Sequence, residues 1–212
     1  MFAKSKSLSA FSLALALAVS APLHAAKVSA TAKTTLSSLS TVEKSDLLFM
    51  REEEKLARDV YLTLYETWGL PVFSNIASSE QSHMDAVLKL LRTYQLSDPA
   101  AGKAIGEFSD PDLQSLYGTL MEKGRLSALD ALQVGGIIEE TDMNDLVAAI
   151  ERADHADLDS TYENLLCGSR NHLRAFASTI ESMTRQPYTA QVIAQDEVDA
   201  IVSSPQEQCG DR

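Results

Sequence analysis

The residues whose types and spacing most clearly suggest chemistry are Glu80 and His83, which are three positions apart. Residues at this spacing on an α-helix project from the same face, so the carboxylate and the imidazole would project together. The stripe through this pair reads Phe73, Ile76, Glu80, His83, Val87, Leu90 and Tyr94. Two ionisable groups in an apolar stripe are costly unless they are hydrogen-bonded, paired or bound to a metal. Glu-x-x-His facing inward from a bundle helix is a motif of carboxylate-bridged dimetal sites, so the pair predicts a metal site if other helices supply matching ligands.

Three other segments carry an acid or a histidine in an apolar stripe. Glu54 lies on the stripe of the first segment, where a second, less apolar register keeps Glu53 as a reserve candidate. Glu139 and His172 lie on the stripes of the third and fourth segments. Each group lies roughly 9 to 13 residues from its helix start, so antiparallel helices of similar length would bring them to one height. The predicted metal ligands are therefore Glu54, Glu80, His83, Glu139 and His172.

Four long segments with helical periodicity must position these residues. They span residues 45–68, 72–95, 127–152 and 160–186, with a minor helix at 111–123 and a short helix at 196–202. Gly69 would end the first helix, and Ser160 would begin the fourth through a capping box with Glu163. The turn after Gly69 is very short, whereas about 30 residues separate the second long helix from the third. The sequence thus predicts an all-α, ferritin-like four-helix bundle with one long crossover connection between the second and third long helices.

The N-terminus has the features of a secretory signal peptide. Lys4 and Lys6 precede a short uncharged apolar run, and Ala25 completes a small-residue cleavage site. The expected regions are a signal peptide at 1–25, a flexible leader at 26–44, the bundle at 45–186 and a C-terminal tail with a short helix at 187–212. The apolar run is too short to span a membrane comfortably, and a retained N-terminal anchor is the alternative. We expect a periplasmic or secreted protein without membrane association after signal cleavage.

Charge and cysteine content restrict the partners. The formal net charge is −12 at pH 7, and loss of the signal peptide would bring it to about −14. An acidic surface argues against nucleic acid, whose phosphates need cationic contacts. The mature chain has two cysteines, Cys167 and Cys209. They either form a disulfide that ties the tail to a core helix or remain a buried thiol and a free tail thiol.

Three stretches of the chain resemble a known family. Residues 48–61, 75–84 and 168–176 are similar to the domain-of-unknown-function family 2202, which is placed in the ferritin-like superfamily near ferritins and rubrerythrins. The resemblance extends over residues 45–204 and implies a ferritin-like bundle that binds metal. The motifs Glu54-x-x-Ala57-x-x-x-Tyr61 and Glu80-x-x-His83 look like the ligand motifs of the first and second helices of that superfamily, and Glu139 occupies a ligand position of the third.

The fourth helix departs from the superfamily pattern. A second Glu-x-x-His is frequent there, whereas this chain has Ser169-x-x-His172. The missing carboxylate could be replaced by Asp142 or by water, could leave one metal weakly held, or could mean a single-metal site. The chain also lacks rubredoxin-like cysteine pairs, so no electron supply within the chain is expected.

The predicted donor set indicates redox chemistry of iron. Carboxylates with imidazoles suit iron or manganese, although zinc or copper can occupy such sites. The leading hypothesis is an exported protein with a dinuclear iron centre that oxidises ferrous iron or reacts with oxygen or peroxide. Asn171 or Tyr61 could support the ligands, with core packing the favoured interpretation of Tyr61. The alternatives are a non-catalytic metal-binding or metal-sensing protein and a metal-free helical interaction module. A monomer or dimer is favoured over a cage.

Overall fold

Every secondary-structure element in the described part of the chain is a helix. The computed structural model describes residues 38–210, which contain six helices and no strand. The helices are α1 (Thr41–Trp68), α2 (Pro71–Thr93), α3 (Pro111–Gly124), α4 (Ala128–Arg152), α5 (Ala156–Thr184) and α6 (Gln195–Ser203). The all-α prediction is confirmed, together with the minor helix and the short helix in the tail. The predicted signal peptide and residues 26–37 of the predicted leader lie outside the described residues.

Helix α1 begins at Thr41, earlier than the predicted residue 45, because Ser40 caps it. The Ser40 hydroxyl accepts a hydrogen bond from the Glu43 N–H at 3.2 Å, and the Glu43 carboxylate accepts one from the Ser40 N–H at 2.8 Å. This reciprocal pair satisfies two backbone donors at the start of the helix. The helix ends at Gly69 as predicted, with the left-handed φ of 66° that glycine adopts readily.

Helix α5 also begins earlier than predicted, at Ala156. The predicted capping box at 160–163 is wrong, because these residues lie inside the helix. Asp157 occupies the first turn, where the helix dipole favours negative charge, and its Oδ1 atom accepts a hydrogen bond from the Leu158 N–H at 3.1 Å. Consequently α4 and α5 are joined by only three residues.

The four long helices α1, α2, α4 and α5 contact one another in a ring. α1 packs against α2 and α4, and α5 packs against α4 and α2. α3 packs against α1 and α4, and α6 contacts α5. The chain runs from α2 to α4 through residues 94–127, which include α3. Within residues 38–210 no helix has the length and apolar character that a membrane span requires.

The apolar core is divided into two clusters. On α1, residues 47–50 belong to one cluster and residues 56–64 to the other, so Glu54 falls between them in the sequence. The same order places Glu80 and His83 between the clusters on α2, and His172 between them on α5. Four of the five predicted ligands therefore lie between the two clusters, whereas Glu139 on α4 is flanked by Ile138 and Met143 of the same cluster.

Charged residues of α1 hold the connection between α2 and α4. The Arg51 guanidinium pairs with Asp98 at 3.0 Å. The Glu52 carboxylate accepts hydrogen bonds from the N–H groups of Ser109 and Asp110 at 2.6 and 2.9 Å. Burial of these two charged side chains of α1 is thus explained by their partners in the connection.

The C-terminal tail is attached by a disulfide and by a buried acid. Cys167 of α5 and Cys209 form a disulfide, which is one of the two alternatives that the sequence left open. Glu140 of α4 accepts a hydrogen bond from the Tyr188 hydroxyl at 2.6 Å. It also accepts hydrogen bonds from the N–H groups of residues 191–193 at 2.5 to 3.0 Å. Glu140 therefore positions the backbone of the tail.

Candidate metal centre

The five predicted ligands meet in two overlapping groups between the long helices. The first group contains Glu54 of α1 with Glu80 and His83 of α2. The second contains Glu80 with Glu139 of α4 and His172 of α5. In each group the candidate ligand atoms lie within 4.8 Å of one another. The structure brings all five residues together, and Glu80 belongs to both groups.

Glu80 contributes one carboxylate oxygen to each group. Its Oε2 atom lies 2.8 Å from His83 Nδ1, and its Oε1 atom lies 2.9 Å from His172 Nδ1. Glu54 Oε2 lies 3.2 Å from His83 Nδ1, and Glu139 Oε2 lies 3.3 Å from His172 Nδ1. The two imidazole rings are stacked, with their centroids 5.4 Å apart. This arrangement suits a carboxylate that bridges two ions, each with one imidazole and one further carboxylate.

Unpaired atoms in the two groups fit a cation. His172 Nδ1 has no hydrogen-bond partner although Glu80 Oε1 is 2.9 Å away, and Glu54 Oε1 is also buried without a partner. Buried polar atoms without partners are costly. Two adjacent ligands of one octahedral ion, with bonds of about 2.1 Å, lie about 3 Å apart without bonding to each other. A divalent cation in each group would satisfy these atoms.

Neighbouring side chains fix two of the candidate ligands. The Tyr61 hydroxyl donates to Glu139 Oε1 at 2.5 Å, and the Tyr61 ring packs against Phe176 with centroids 5.3 Å apart. Core packing was the favoured interpretation of Tyr61. The residue fills the core and also contacts the site. His172 Nε2 lies 2.9 Å from Ser79 Oγ, and this contact leaves Nδ1 facing the carboxylates. Such contacts orient metal ligands and select the tautomer of a histidine.

Gly168 of α5 leaves space for the ring of His83. A Cβ atom at position 168 would lie 2.5 Å from His83 Nε2 and 2.6 Å from His83 Cε1, which is closer than Cβ atoms come to other atoms. The backbone of α5 can therefore approach α2 at the height of the site. Gly168 was not among the predicted site residues, although a glycine inside a long helix lowers the stability of the helix and so indicates close packing.

Burial and charge shift the pKa values of the candidate ligands. Burial raises the pKa of Glu54 to about 7 and also raises the pKa of Glu139. Burial lowers the pKa of His172, but the carboxylates of Glu80 and Glu139 outweigh it and raise this pKa to about 10. Against the effect of burial, His172 and His83 hold the pKa of Glu80 below its ordinary value. Because carboxylates outnumber imidazoles, the site favours a cation.

Asp142 of α4 contacts Ser169, the residue at the position where the fourth long helix lacks a carboxylate. Asp142 is buried, its Oδ2 atom accepts a hydrogen bond from Ser169 Oγ at 2.5 Å, and its Oδ1 atom has no partner. Burial, with the charges of Glu54 and Glu139, raises the pKa of Asp142 well above its ordinary value. The reserve candidate Glu53 belongs to neither group and lines a small cavity between α1, α3 and α4.

Two residues beside the predicted ligands serve the tail. Asn171 was a candidate partner of the ligands, but its Nδ2 atom donates to the Glu207 carbonyl at 3.0 Å and its Oδ1 atom accepts from the Glu207 N–H at 2.9 Å. Glu140, adjacent to Glu139, binds residues 188–193 as described above. Neither role could be predicted from the sequence, because both depend on where the tail docks.

Most of this chain is similar to known proteins. Residues 43–205 match the family described as "Uncharacterized protein domain (DUF2202)". The uncharacterized protein MJ0754 of Methanocaldococcus jannaschii is 50% identical over 169 residues, which cover 80% of this chain and 91% of that protein. The crystal structure of the hypothetical protein MJ0754 from Methanococcus jannaschii matches with a TM-score of 0.78 and 49% identity, covering 82% of this chain and 98% of the crystallised chain. This family match covers all six helices apart from residues 41–42 at the start of α1. The chain therefore belongs to the DUF2202 family.

Proposed function

We propose that the protein is an exported, ferritin-like metal-binding protein whose four long helices form a four-helix bundle around a dinuclear iron centre. The observation that carries the proposal is the division of the Glu80 carboxylate between His83 and His172, at 2.8 and 2.9 Å. Glu80 would bridge two ions. Glu54 and His83 would complete the ligands of one ion, and Glu139 and His172 those of the other.

The donor set supports iron. Carboxylates and imidazoles suit iron and manganese, and they can also bind zinc or copper. The two cysteines of the chain form the disulfide, so neither offers a thiolate ligand. A pair of iron ions would supply electrons to one molecule of dioxygen or peroxide, which both ions can engage. Oxidation of ferrous iron is the proposed reaction because it needs no protein reductase.

Residues of the chain would orient the ligands and exclude water. The Tyr61 hydroxyl holds Glu139, and Ser79 holds His172. The two apolar clusters limit access of water to the candidate ligands that lie between them. No residue beyond the candidate ligands is proposed as a general acid or base.

The disulfide supports the proposal that the protein is exported. A disulfide between Cys167 and Cys209 is typical of proteins in an oxidising compartment. We propose a periplasmic or secreted protein that acts as a monomer or dimer, without a nucleic-acid partner. Its substrates would be ferrous iron with dioxygen or peroxide.

Stepwise anaerobic loading with ferrous iron tests the proposal. Metal analysis after removal of unbound iron gives the number of ions per chain, and later exposure to oxygen gives the oxidation rate from the absorbance of ferric iron. We expect two ions per chain and oxidation faster than that of free ferrous iron in the same buffer. Binding without faster oxidation would favour the non-catalytic metal-binding alternative. A chain that binds no ion would favour the metal-free module.

A further inference from the structure

Asp142 is a buried carboxylate whose environment the five candidate ligands do not explain. Its side chain lies on α4 one turn after Glu139, and the residue is only 6% exposed. Its Oδ1 atom has no hydrogen-bond partner. Because a buried carboxylate oxygen without a partner is costly, this atom requires a cation, a proton or a polar group that faces it.

Ser169 gives Asp142 a fixed orientation. The Ser169 hydroxyl donates to Asp142 Oδ2 at 2.5 Å and leaves Oδ1 without a partner. Ser169 stands three residues before His172 on α5, so the two side chains share one face of that helix. A hydroxyl at this position thus reaches a carboxylate on the neighbouring helix.

Asp142 lies beside the candidate centre on two helices, one turn after Glu139 on α4 and in contact with Ser169, which precedes His172 by three residues on α5. Glu53, which belongs to neither group, is a further charged neighbour of Asp142. The carboxylates that act on it most strongly are Glu54, from the first group, and Glu139, from the second, with a smaller effect of Glu80. These neighbours repel a negative charge on Asp142, and Ser169 is the neighbour that stabilises it. A cation held by the surrounding carboxylates would remove the repulsion.

We propose that Asp142 supplies the fourth carboxylate of the dinuclear centre from α4, with Ser169 as the residue that positions it. This inference rests on the function proposed above. It replaces the Glu-x-x-His pattern expected on the fourth long helix by Glu139-x-x-Asp142 on the third and Ser169-x-x-His172 on the fourth. One of the two ions would then have a carboxylate beyond Glu80 and its own terminal glutamate.

Metal stoichiometry of Asp142→Asn tests the inference without relying on activity. Manganese or ferrous iron is added anaerobically, and bound metal is counted for the wild type, Asp142→Asn and the control Asp145→Asn, which makes the same change one turn further along α4. We expect two ions for the wild type and the control, and one ion for Asp142→Asn. Two ions bound to Asp142→Asn with unchanged affinity would overturn the inference and leave the proposed function intact. A wild type that binds no ion would overturn both.

A carboxylate swap covers the case in which Asp142→Asn fails to fold. Asp142→Ser combined with Ser169→Glu moves the carboxylate to the position three residues before His172. We expect this double variant to bind two ions and Asp142→Ser alone to bind one. An Asp142→Ser variant that folds, as judged by its circular dichroism, and still binds two ions would overturn a ligand role for Asp142. Ser169→Ala should still bind two ions, but its affinity for the second ion should be about tenfold lower, because the variant loses only a contact that orients Asp142.

Discussion

Glu139 and Glu140 are adjacent on α4 and both are buried, but they belong to regions of opposite character. Glu140 lies in the tail-binding region, where the Tyr188 hydroxyl and the N–H groups of residues 191–193 satisfy its carboxylate. Glu139 lies in the candidate metal centre, where its Oε2 atom lies 3.3 Å from His172 Nδ1, an atom that makes no hydrogen bond. Burial of an acid therefore does not by itself identify a metal site. The candidate centre differs because acids and histidines of several helices bring their ligand atoms within 4.8 Å of one another.

Glu80→Gln should have the largest effect on the metal centre. It keeps the shape of the side chain but removes the charge that both groups share, so both ions should bind at least about 100-fold more weakly. Isothermal titration with manganese or zinc under anaerobic conditions measures this loss. Glu66→Gln, an exposed change on α1, is the matched control and should leave both affinities unchanged. Full affinity in Glu80→Gln would rule out a bridging role.

Glu140→Ala should break the tail-binding region and spare the metal centre. Four hydrogen-bond donors lose their acceptor, which should lower the free energy of unfolding by about 3 kcal/mol. Urea unfolding measures the loss, and metal analysis should still find two ions per chain. If Glu140→Ala kept its stability but lost metal, the distinction between the two regions would fail.

The candidate centre should respond to pH in opposite ways without and with metal. Folded Glu54 keeps its proton up to a pKa of about 7 instead of 4.5, so its contribution to the stability of the metal-free protein is complete below pH 4.5 and is lost as the pH rises to 7. The raised pKa of His172, about 10, stabilises the metal-free fold below pH 6.5, and this contribution is lost as the pH rises to 10.

Metal binding requires deprotonated ligands, so affinity should rise by at least about tenfold per pH unit between pH 5 and 7. Melting temperatures of the metal-free and metal-loaded protein across pH 4.5–8 measure both trends. The metal-free protein should become less stable as the pH rises over this range, whereas the stabilisation by metal should increase. A metal affinity independent of pH between 5 and 7 would mean that these groups are not ligands.

Gly168→Ala should have a smaller and more local effect. The new methyl group would displace the ring of His83, so the ion of the first group should bind about tenfold more weakly while the second ion is retained. Gly118→Ala on α3 is the matched control, because a Cβ atom there meets nothing within 4 Å. Equal metal affinities in the two variants would show that the position of His83 is unimportant.

Helical periodicity predicted the local parts of this structure well. It placed Glu54, Glu139 and His172 on inward faces at one height, because a core-facing stripe is set by residues close in sequence. The start of α5 was predicted wrongly, since Ser160 and Glu163 satisfy the capping pattern equally well inside a helix. The partners of Glu140 lie about 50 residues further along the chain. Such contacts depend on tertiary docking and leave no periodic signal.

The contact between Asp142 and Ser169 shows the same limit. The absence of a glutamate at position 169 is visible in the sequence, and Asp142 was one of several ways to replace it. Only the packing of α4 against α5 shows that the Ser169 hydroxyl reaches Asp142. Spacing along one helix predicts which residues share a face, but it does not predict which residue of the next helix they meet.

Anomalous diffraction from crystals of the iron-loaded protein tests the central claim most directly. We predict two iron peaks, one on each side of the Glu80 carboxylate and each within bonding distance of one of its oxygens. One peak should lie next to His83 Nδ1 and the other next to His172 Nδ1. A single peak that Glu80 does not contact, or no peak between α1, α2, α4 and α5, would contradict a bridged dinuclear centre.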